Sequence, residues 1–290
     1  MRRAPGPAPT ARRTTVEEIA SEAGLRRVDV VAWRDFDDPE AGGSELHAHR
    51  IVEAWSAAGI DVTLTTSSVP GGPAATHRAG YRVHRRAGRY AVFPRTMMAG
   101  ALGRIGSGDG LVEIWNGMPF FSPLWAHCPS VVFLHHVHAE MWGMTLPPRL
   151  ARMGEVLERR LAPQLYRSTK VVTLSGSSRR EIVSMLGLPA HQVEVVSPGI
   201  EGRFTPGPGR ARLPLVLAVG RLVPVKRFPM LVRALARAKQ TVPELQAVIV
   251  GEGYARHVVE AAIADHDAGG WIELRGRCDE DELVELYRRA

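Results

Sequence analysis

The sequence predicts an α/β protein built on parallel sheets in two domains, and three observations carry that prediction. The first is the stretch 215–253, LVLAVGRLVPVKRFPMLVRALARAKQTVPELQAVIVGEG. An apolar run, Leu215 to Val219, stops at Gly220. A helix-period segment follows from Phe228 to Lys239, with Leu231, Leu235 and Ala238 on one stripe. A second apolar run, Ala247 to Val250, stops at Gly251-Glu252-Gly253, which completes a strand–loop–helix–strand unit. The second observation is that these strands lack polar alternation, as in a parallel sheet covered on both faces. The third is size and punctuation. A chain of 290 residues with 45% hydrophobic content can fill about two cores. The segment Glu201 to Leu213, with Pro206, Gly207, Pro208 and Gly209, has the composition of a linker. The expected organisation is a tail and short helix over 1–27, a first domain over 28–206 and a second over 207–290.

Residues 1–13 are rich in Pro, Ala and Arg, a composition expected to be disordered. Thr14 or Thr15 suits the cap of a short helix to about Ala23, with Glu17 and Glu18 in its first turn. Val28 to Trp33 reads as the first strand, and Ser44 to Ala58 as the helix after it. Gly42 and Gly43 stand at that helix entrance, where the absence of a Cβ admits a ligand to the backbone and the first N–H groups face an anion. Glu45 is a favourable partner for the helix dipole. Asp61 to Thr66, Tyr81 to Arg85, Gly110 to Trp115 and Ser130 to Leu134 read as further strands, and Arg95 to Arg104 as a helix. A long amphipathic helix is expected over 147–167. A strand over Lys170 to Leu174, a helix over Ser178 to Leu186 closed by Gly187, and a strand over Val193 to Val196 then complete the first domain. In the second domain Trp271 to Leu274 is a third strand, and a last helix runs from Asp279 to Arg289.

Three places bear on chemistry. Arg221 and Lys226 follow a strand and precede a helix, at the carboxyl end where parallel sheets bind ligands. Two cations beside a helix N-terminus suit a phosphate group, although a solvated basic loop has the same appearance. His135, His136 and His138 fall at a strand end. No neighbouring Cys or carboxylate completes a tetrahedral metal set, so contact with a ligand or acceptor is the better reading for His135, with a structural role as its rival. Asp35-Phe36-Asp37 has the form of a metal–diphosphate motif, but its acidic surroundings favour a solvated loop.

Composition narrows the function classes. Cys128 and Cys278 form neither a metal pattern nor a disulfide framework, which suits a reducing, cytoplasmic setting. No apolar leader and no membrane-length apolar run occurs in the sequence. The net charge is +7, spread along the chain without a nucleic-acid signature. A solvated basic surface, or attraction to an anionic membrane or phosphorylated acceptor at the inner membrane surface, explains it better than specific nucleic-acid binding.

Taken together, the segments resemble the retaining glycosyltransferases of family four (glycosyl transferases group 1). The matching pieces are GGSELHAHRIVEAWSAAGIDVTL, VVFLHHVH, VVTLSGSSRREIVSMLGLPAHQVEVVSPGIEGRFTPG, LAVGRLVPVKRFPMLVRALA, AVIVGEG and IELRGRCDEDELVELYRRA, in that order. The resemblance implies a GT-B fold of two Rossmann-like domains with a nucleotide-sugar donor between them. It implies that Arg221 and Lys226 hold the donor diphosphate and stabilise the leaving group. Gly42 and Gly43 approach the donor phosphate, and His135 lies near the transferred sugar and acceptor. Glu252 sits beside the donor, and backbone groups at Arg277 and Cys278 meet the base. It implies no cofactor and no metal.

The sequence departs from the pattern at its end. The family's Glu-x7-Glu segment and last crossing helix have no counterpart before Ala290, and Glu280, Glu282 and Glu285 belong to the preceding helix. A truncated second domain is therefore expected, with its last strand leaving an apolar edge exposed. The alternative to a transferase is a non-catalytic remnant or binding protein of the same fold. The acceptor is expected to meet loops such as Pro70 to Arg78 and Met141 to Pro148, and Arg85, Arg86 and Arg89 suggest that it is anionic.

Overall fold

The computed structural model describes residues 14–139 and 141–290. The tail expected to be disordered, 1–13, lies outside the described residues. Contacts divide the chain into two compact units. One comprises Met1–Ala139 with Arg149–Ser197, the other Glu140–Pro148 with Pro198–Ala290.

In chain order the first unit begins with α1 (Val16–Glu22), capped by Thr15, whose hydroxyl accepts from the Glu18 N–H while Glu18 accepts from the Thr15 N–H. Next come β1 (Arg27–Val31), α2 (Gly43–Ala57), β2 (Asp61–Ser67), β3 (Ala75–Arg78), β4 (Tyr81–Ala87) and α3 (Val92–Ala101). Then follow β5 (Gly110–Trp115), β6 (Ser130–Leu134) and α4 (Met141–Thr145), the last grouped with the second unit. The first unit resumes with α5 (Pro148–Val156), α6 (Ala162–Leu165), β7 (Lys170–Thr173), α7 (Gly176–Leu186) and β8 (Val193–Val195). Eight strands form one sheet in the order β3-β4-β2-β1-β5-β6-β7-β8, parallel except for β3 against β4. Val30 packs with Val52, Leu64 and Ile114 on one face, whereas its neighbour Val31 packs with Phe93, Leu111 and Trp125 on the other. The sheet is therefore covered on both faces, as its unalternating apolar strands require.

Several boundaries differ from expectation for identifiable reasons. Strand β3 pairs with β4 through Ala79-Gly80, both with positive φ, so part of the expected acceptor loop 70–78 is a hairpin arm. Likewise Met141–Thr145 is helical rather than loop. Helix α3 starts upstream of Arg95 because Pro94 is tolerated in a first turn, and it stops before Gly103, whose φ is +67°. The long helix expected over 147–167 is interrupted by a π-helical turn, Leu157–Leu161, just ahead of Pro163, which removes a donor from the helical ladder.

The second unit contains β9 (Leu215–Val219), α8 (Phe228–Thr241), β10 (Gln246–Val250), α9 (Arg256–Asp265), β11 (Ile272–Arg275) and α10 (Glu280–Arg289). Its sheet is parallel, ordered β11-β10-β9, with Leu222, Val232, Leu235, Ile249, Val259 and Ile263 in the core. Helix α9 has no counterpart in the sequence expectations, because its buried stripe is short, Val259 and Ile263 one turn apart. The apolar edge expected at the last strand falls instead on the first. None of the five residues of β9 is fully buried, and Val219 is 40% exposed. On β11, Arg275 pairs with Glu273 and with Glu282. Among the described residues no helix is long and apolar enough to cross a membrane.

Candidate functional site

In the first unit the carboxyl ends of β1, β5 and β6 meet the N-terminus of α2. Gly42 is the extended N-cap, and its N–H donates to Glu45 Oε2 at 2.8 Å. Glu45, in the first turn as the dipole partner expected, is buried, so its carboxylate is a fixed part of the helix entrance. Ser44 Oγ bonds to Glu45 Oε2 at 3.0 Å, and Asn116 Nδ2 donates to Ser44 Oγ at 2.8 Å and Glu45 Oε1 at 3.2 Å. Asn116 thereby ties the end of β5 to the first turn of α2. A Cβ placed on Gly43 would meet nothing within 4 Å, so the first turn faces open space. The next N–H groups of that turn have no partner inside the helix.

The loop 34–43 that delivers these glycines is not the solvated acidic loop expected from sequence. Asp35 is fully buried and receives Arg85 Nε at 3.1 Å and Nη2 at 3.2 Å. Arg85 also donates to Asp37 at 2.7 Å, and Arg78 pairs with Asp37 at 2.6 Å. Burial pushes the Asp35 carboxyl upward, but hydrogen bonds from Arg85 and the Asp37 N–H, with the charges of Arg85 and Arg78, leave it below its ordinary value. His49 joins the cluster. Its Nε2 accepts from the Phe36 N–H at 3.2 Å, and its Nδ1 faces the Tyr81 hydroxyl and, at 3.4 Å, Arg78 Nη1. Burial, followed by the charge of Arg78, lowers His49 to about 4. Arg89 is likewise paired with Glu40. Arg85 is therefore occupied inside the unit, which corrects its reading as an attractor of an anionic acceptor, whereas Arg89 and Glu40 stay partly exposed.

His135 follows β6 directly and is 8% exposed. Its Nε2 lies 3.1 Å from Nδ1 of His47 on α2, the rings edge-to-face at 5.2 Å, while its own Nδ1 has no hydrogen-bond partner among the described residues. Burial first, then the neighbouring His47 and His136, lowers His135 to about 4, and burial lowers His47 as well. The pair is neutral at pH 7, one ring donating to the other. A cavity of about 40 Å³ opens beside it, lined by His47, Ile51, Phe133, His135, Val172 and Val196. His136 and His138 stack at 4.7 Å, and His138 lies over Gly117, whose φ is +86°. The buried Glu158, inside the π-helical turn, accepts from the N–H groups of His138 at 2.8 Å and Ala139 at 3.0 Å and so holds the histidine segment in place. His47, Asn116 and Glu158 are absent from the sequence expectations. His47 carries a local signal, one turn past Gly43, but the other two are recognisable only by long-range contact. Among the described residues no group of three or more His, Cys, Asp or Glu is arranged to hold a metal ion.

In the second unit the carboxyl ends of β9, β10 and β11 bring Arg221, Glu252 and Arg277 to one rim of the sheet. The loops bearing Arg221 and Glu252 pack backbone to backbone. Gly220 N–H donates to Val250 O at 3.0 Å, and Leu222 N–H donates to Glu252 O at 2.8 Å. A Cβ on Gly251 would lie 2.0 Å from Gly220 O, and one on Gly253 would lie 2.3 Å from Leu222 O, so both positions require glycine. Lys226 ends an exposed 3-10 turn, Pro224–Lys226, ahead of α8, where Arg227 at φ 53° is the N-cap. The Glu252 carboxylate lies against Gly276, where a Cβ would come within 2.7 Å of Oε1, and it pairs with Arg256 at 3.4 Å. Cys278 packs its side chain with Val248, Val250 and Leu286. Arg221, Lys226, Glu252, Arg277 and Cys278 thus belong to one unit, and Gly42, Gly43 and His135 to the other.

Comparison with known proteins agrees with this architecture. Residues 41–202 match Glycosyltransferase Family 4, and residues 208–290 match Glycosyl transferases group 1. A GDP-mannose-dependent alpha-(1-6)-phosphatidylinositol monomannoside mannosyltransferase of Mycolicibacterium smegmatis is 29% identical over 65% of this chain and 52% of its own length. A D-inositol 3-phosphate glycosyltransferase of Thermomonospora curvata is 26% identical over 87% of this chain and 68% of its own. The chain therefore spans about half of the first relative and about two thirds of the second. Among solved structures, WaaG, a glycosyltransferase involved in lipopolysaccharide biosynthesis, superposes with a TM-score of 0.65 at 18% identity, over 91% of this chain and 73% of that one. The fold is GT-B, with two Rossmann-like parallel sheets of which the second is the smaller, and the chain belongs to glycosyltransferase family 4.

Proposed function

We propose that this chain serves transfer of a sugar from a nucleotide diphosphate sugar to a hydroxyl acceptor, with retention of configuration at the anomeric carbon. The observation that carries the reading is the rim of the second sheet. There glycine-dependent packing of two strand-end loops presents Arg221, with the exposed Lys226 turn following it in the chain. In this reading Arg221 and Lys226 bind the diphosphate. As the bond between the anomeric carbon and the phosphate oxygen breaks, the nucleoside diphosphate leaves with the electron pair, and the two cations stabilise the charge that develops. The acceptor oxygen forms the new bond on the same face and loses its proton. The glycine turn of α2 contributes N–H groups to phosphate, as helix N-termini do. His135, neutral and with a free Nδ1, makes a polar contact to sugar or acceptor. Glu252 and the main chain at Arg277 and Cys278 meet the nucleoside. The positive charge that the reaction needs comes from side chains, so the reading calls for no metal.

The name of the mycolicibacterial relative, which specifies GDP-mannose, supports a nucleotide-sugar donor. Calorimetric titration with GDP and UDP, paired with product analysis on a panel of nucleotide sugars and hydroxyl acceptors, tests the proposal. Saturable nucleotide binding that Arg221→Ala weakens, with product of retained configuration, is the expected result. Nucleotide binding without transfer on any donor would assign the chain a binding role. No nucleotide binding at all would remove the diphosphate assignment.

A further inference from the structure

The helical stretch from α5 to α6 carries a surface that sugar transfer does not use. Its inner side is Ala151, Gly154, Glu158 and Ala162, all buried and each one turn beyond the last. The opposite crest is Arg149, Met153, Val156 and Arg160, again one turn apart and all exposed. Met153 is 53% exposed and Val156 45%, and the apolar strip continues through Leu150 at 47% and Leu161 at 44%. Arg152 and Arg159 are exposed as well. The outer side therefore sets four arginines, Arg149, Arg152, Arg159 and Arg160, against one exposed acid, Glu155, which pairs with Arg159. Here the basic residues stay at the surface, whereas Arg85 is held by the buried carboxylate of Asp35.

We propose that this face, residues 149–161, docks on an anionic lipid bilayer. Leu150, Met153, Val156 and Leu161 enter the boundary between headgroups and acyl chains, and the arginines meet lipid phosphates. A helix with exposed apolar residues interleaved with cations fits that environment because both kinds of group are satisfied at one depth. An acidic protein would satisfy the arginines and leave the apolar strip to find its own pocket. Nucleic acid would engage the arginines but leave the apolar strip unused, since this face has no aromatic side chain on which bases stack. The inference stands apart from the transfer reading, since no residue of the face belongs to the proposed site.

The test is co-sedimentation of the full chain with vesicles of phosphatidylcholine alone and of equal parts phosphatidylcholine and phosphatidylglycerol. Binding to the anionic vesicles only, weakened by salt, is expected. Met153→Asp with Val156→Asp should lower partitioning by about tenfold or more. Arg149→Gln with Arg160→Gln should lower it about fivefold per charge. All four positions are exposed, and thermal melts establish that the variants remain folded. A third variant changes Arg2, Arg3, Arg12 and Arg13 to Gln, and it should keep most of the binding. The proposal fails if anionic vesicles do not sediment the protein, or if the tail variant alone abolishes binding while both helix variants retain it. It also fails if duplex DNA or an acidic protein is bound and vesicles are ignored.

Discussion

The two units reach the same architecture, a ligand-facing rim at the carboxyl ends of parallel strands, by opposite means. In the first unit the rim is held by buried polar groups drawn from distant parts of the chain. Asp35 meets Arg85, Asn116 meets Ser44 and Glu45, and Glu158 meets the backbone after His138. In the second unit the rim is held by backbone contact between neighbouring loops, made possible by Gly251 and Gly253, and its cation Lys226 stands on an exposed turn. One rim is an electrostatic assembly, and the other is a steric one. Damage to the first should register as lost stability through unpaired charge, and damage to the second as lost stability through overlap. Loss of a surface cation should register in binding alone.

The largest effect is expected at Asp35. Asp35→Ala takes the buried carboxylate from the nearly buried Arg85 and leaves it the half-exposed Asp37, a change that costs about 3–5 kcal/mol. Urea denaturation of the variant should show it, and an unchanged midpoint would mean that the cluster is not electrostatically coupled. Next is the steric rim. Gly251→Ala forces its Cβ into Gly220 O and should cost about 3 kcal/mol or more. Gly43→Ala, which meets open space in a helical first turn, should change stability by less than about 1 kcal/mol. Equal losses for the two would erase the distinction between the rims.

The surface cation comes third. Lys226→Ala should weaken nucleotide binding about tenfold to a hundredfold, from the roughly 1.5–3 kcal/mol carried by a charge-assisted hydrogen bond. Its melting temperature should stay near that of the parent, because the side chain is exposed. A parent-like affinity would move the diphosphate away from this turn.

Acid sharpens the comparison at the smallest scale. His49 and His135, both at about 4, lie below the ordinary histidine value of 6.5. Below pH 6.5 the unfolded chain takes up protons that the native state refuses, so stability falls as pH drops toward 4. Each histidine costs about 1.4 kcal/mol per pH unit across that window. Asp35, lowered in the fold, adds a further loss once pH falls through its folded value, below the usual carboxylate range. Urea midpoints at pH 7 and pH 5 should differ, and His49→Phe should flatten the slope. A flat profile would mean that these rings titrate as they do in water.

Legibility follows the same division. The stretch 215–253 is readable because everything that shapes it is local: apolar runs, a helical stripe, glycines at strand ends. Strands Gly110–Trp115, Ser130–Leu134 and Leu215–Val219 fall where their patterns place them. The loop 34–43 is misread as solvated because the partner that buries Asp35 lies fifty residues away, at Arg85. Arg85 misleads for the same reason, since a count of charges does not show which are already paired and buried.

The amino-acid sequence by itself determined the fold class, the two-part organisation and the family, because period, glycine placement and motif order are properties of short segments. It also determined which residues stand at the helix entrance and the strand ends, from Gly42 and His135 to Arg221 and Glu252. Only the tertiary structure decided which of those residues are buried, paired or exposed. It decided that His47 faces His135, that Glu158 holds the histidine segment and that β9 rather than β11 carries the apolar edge. The physical reason is that burial and pairing are set by contacts between segments far apart in the chain, and composition or spacing within any one segment does not record them.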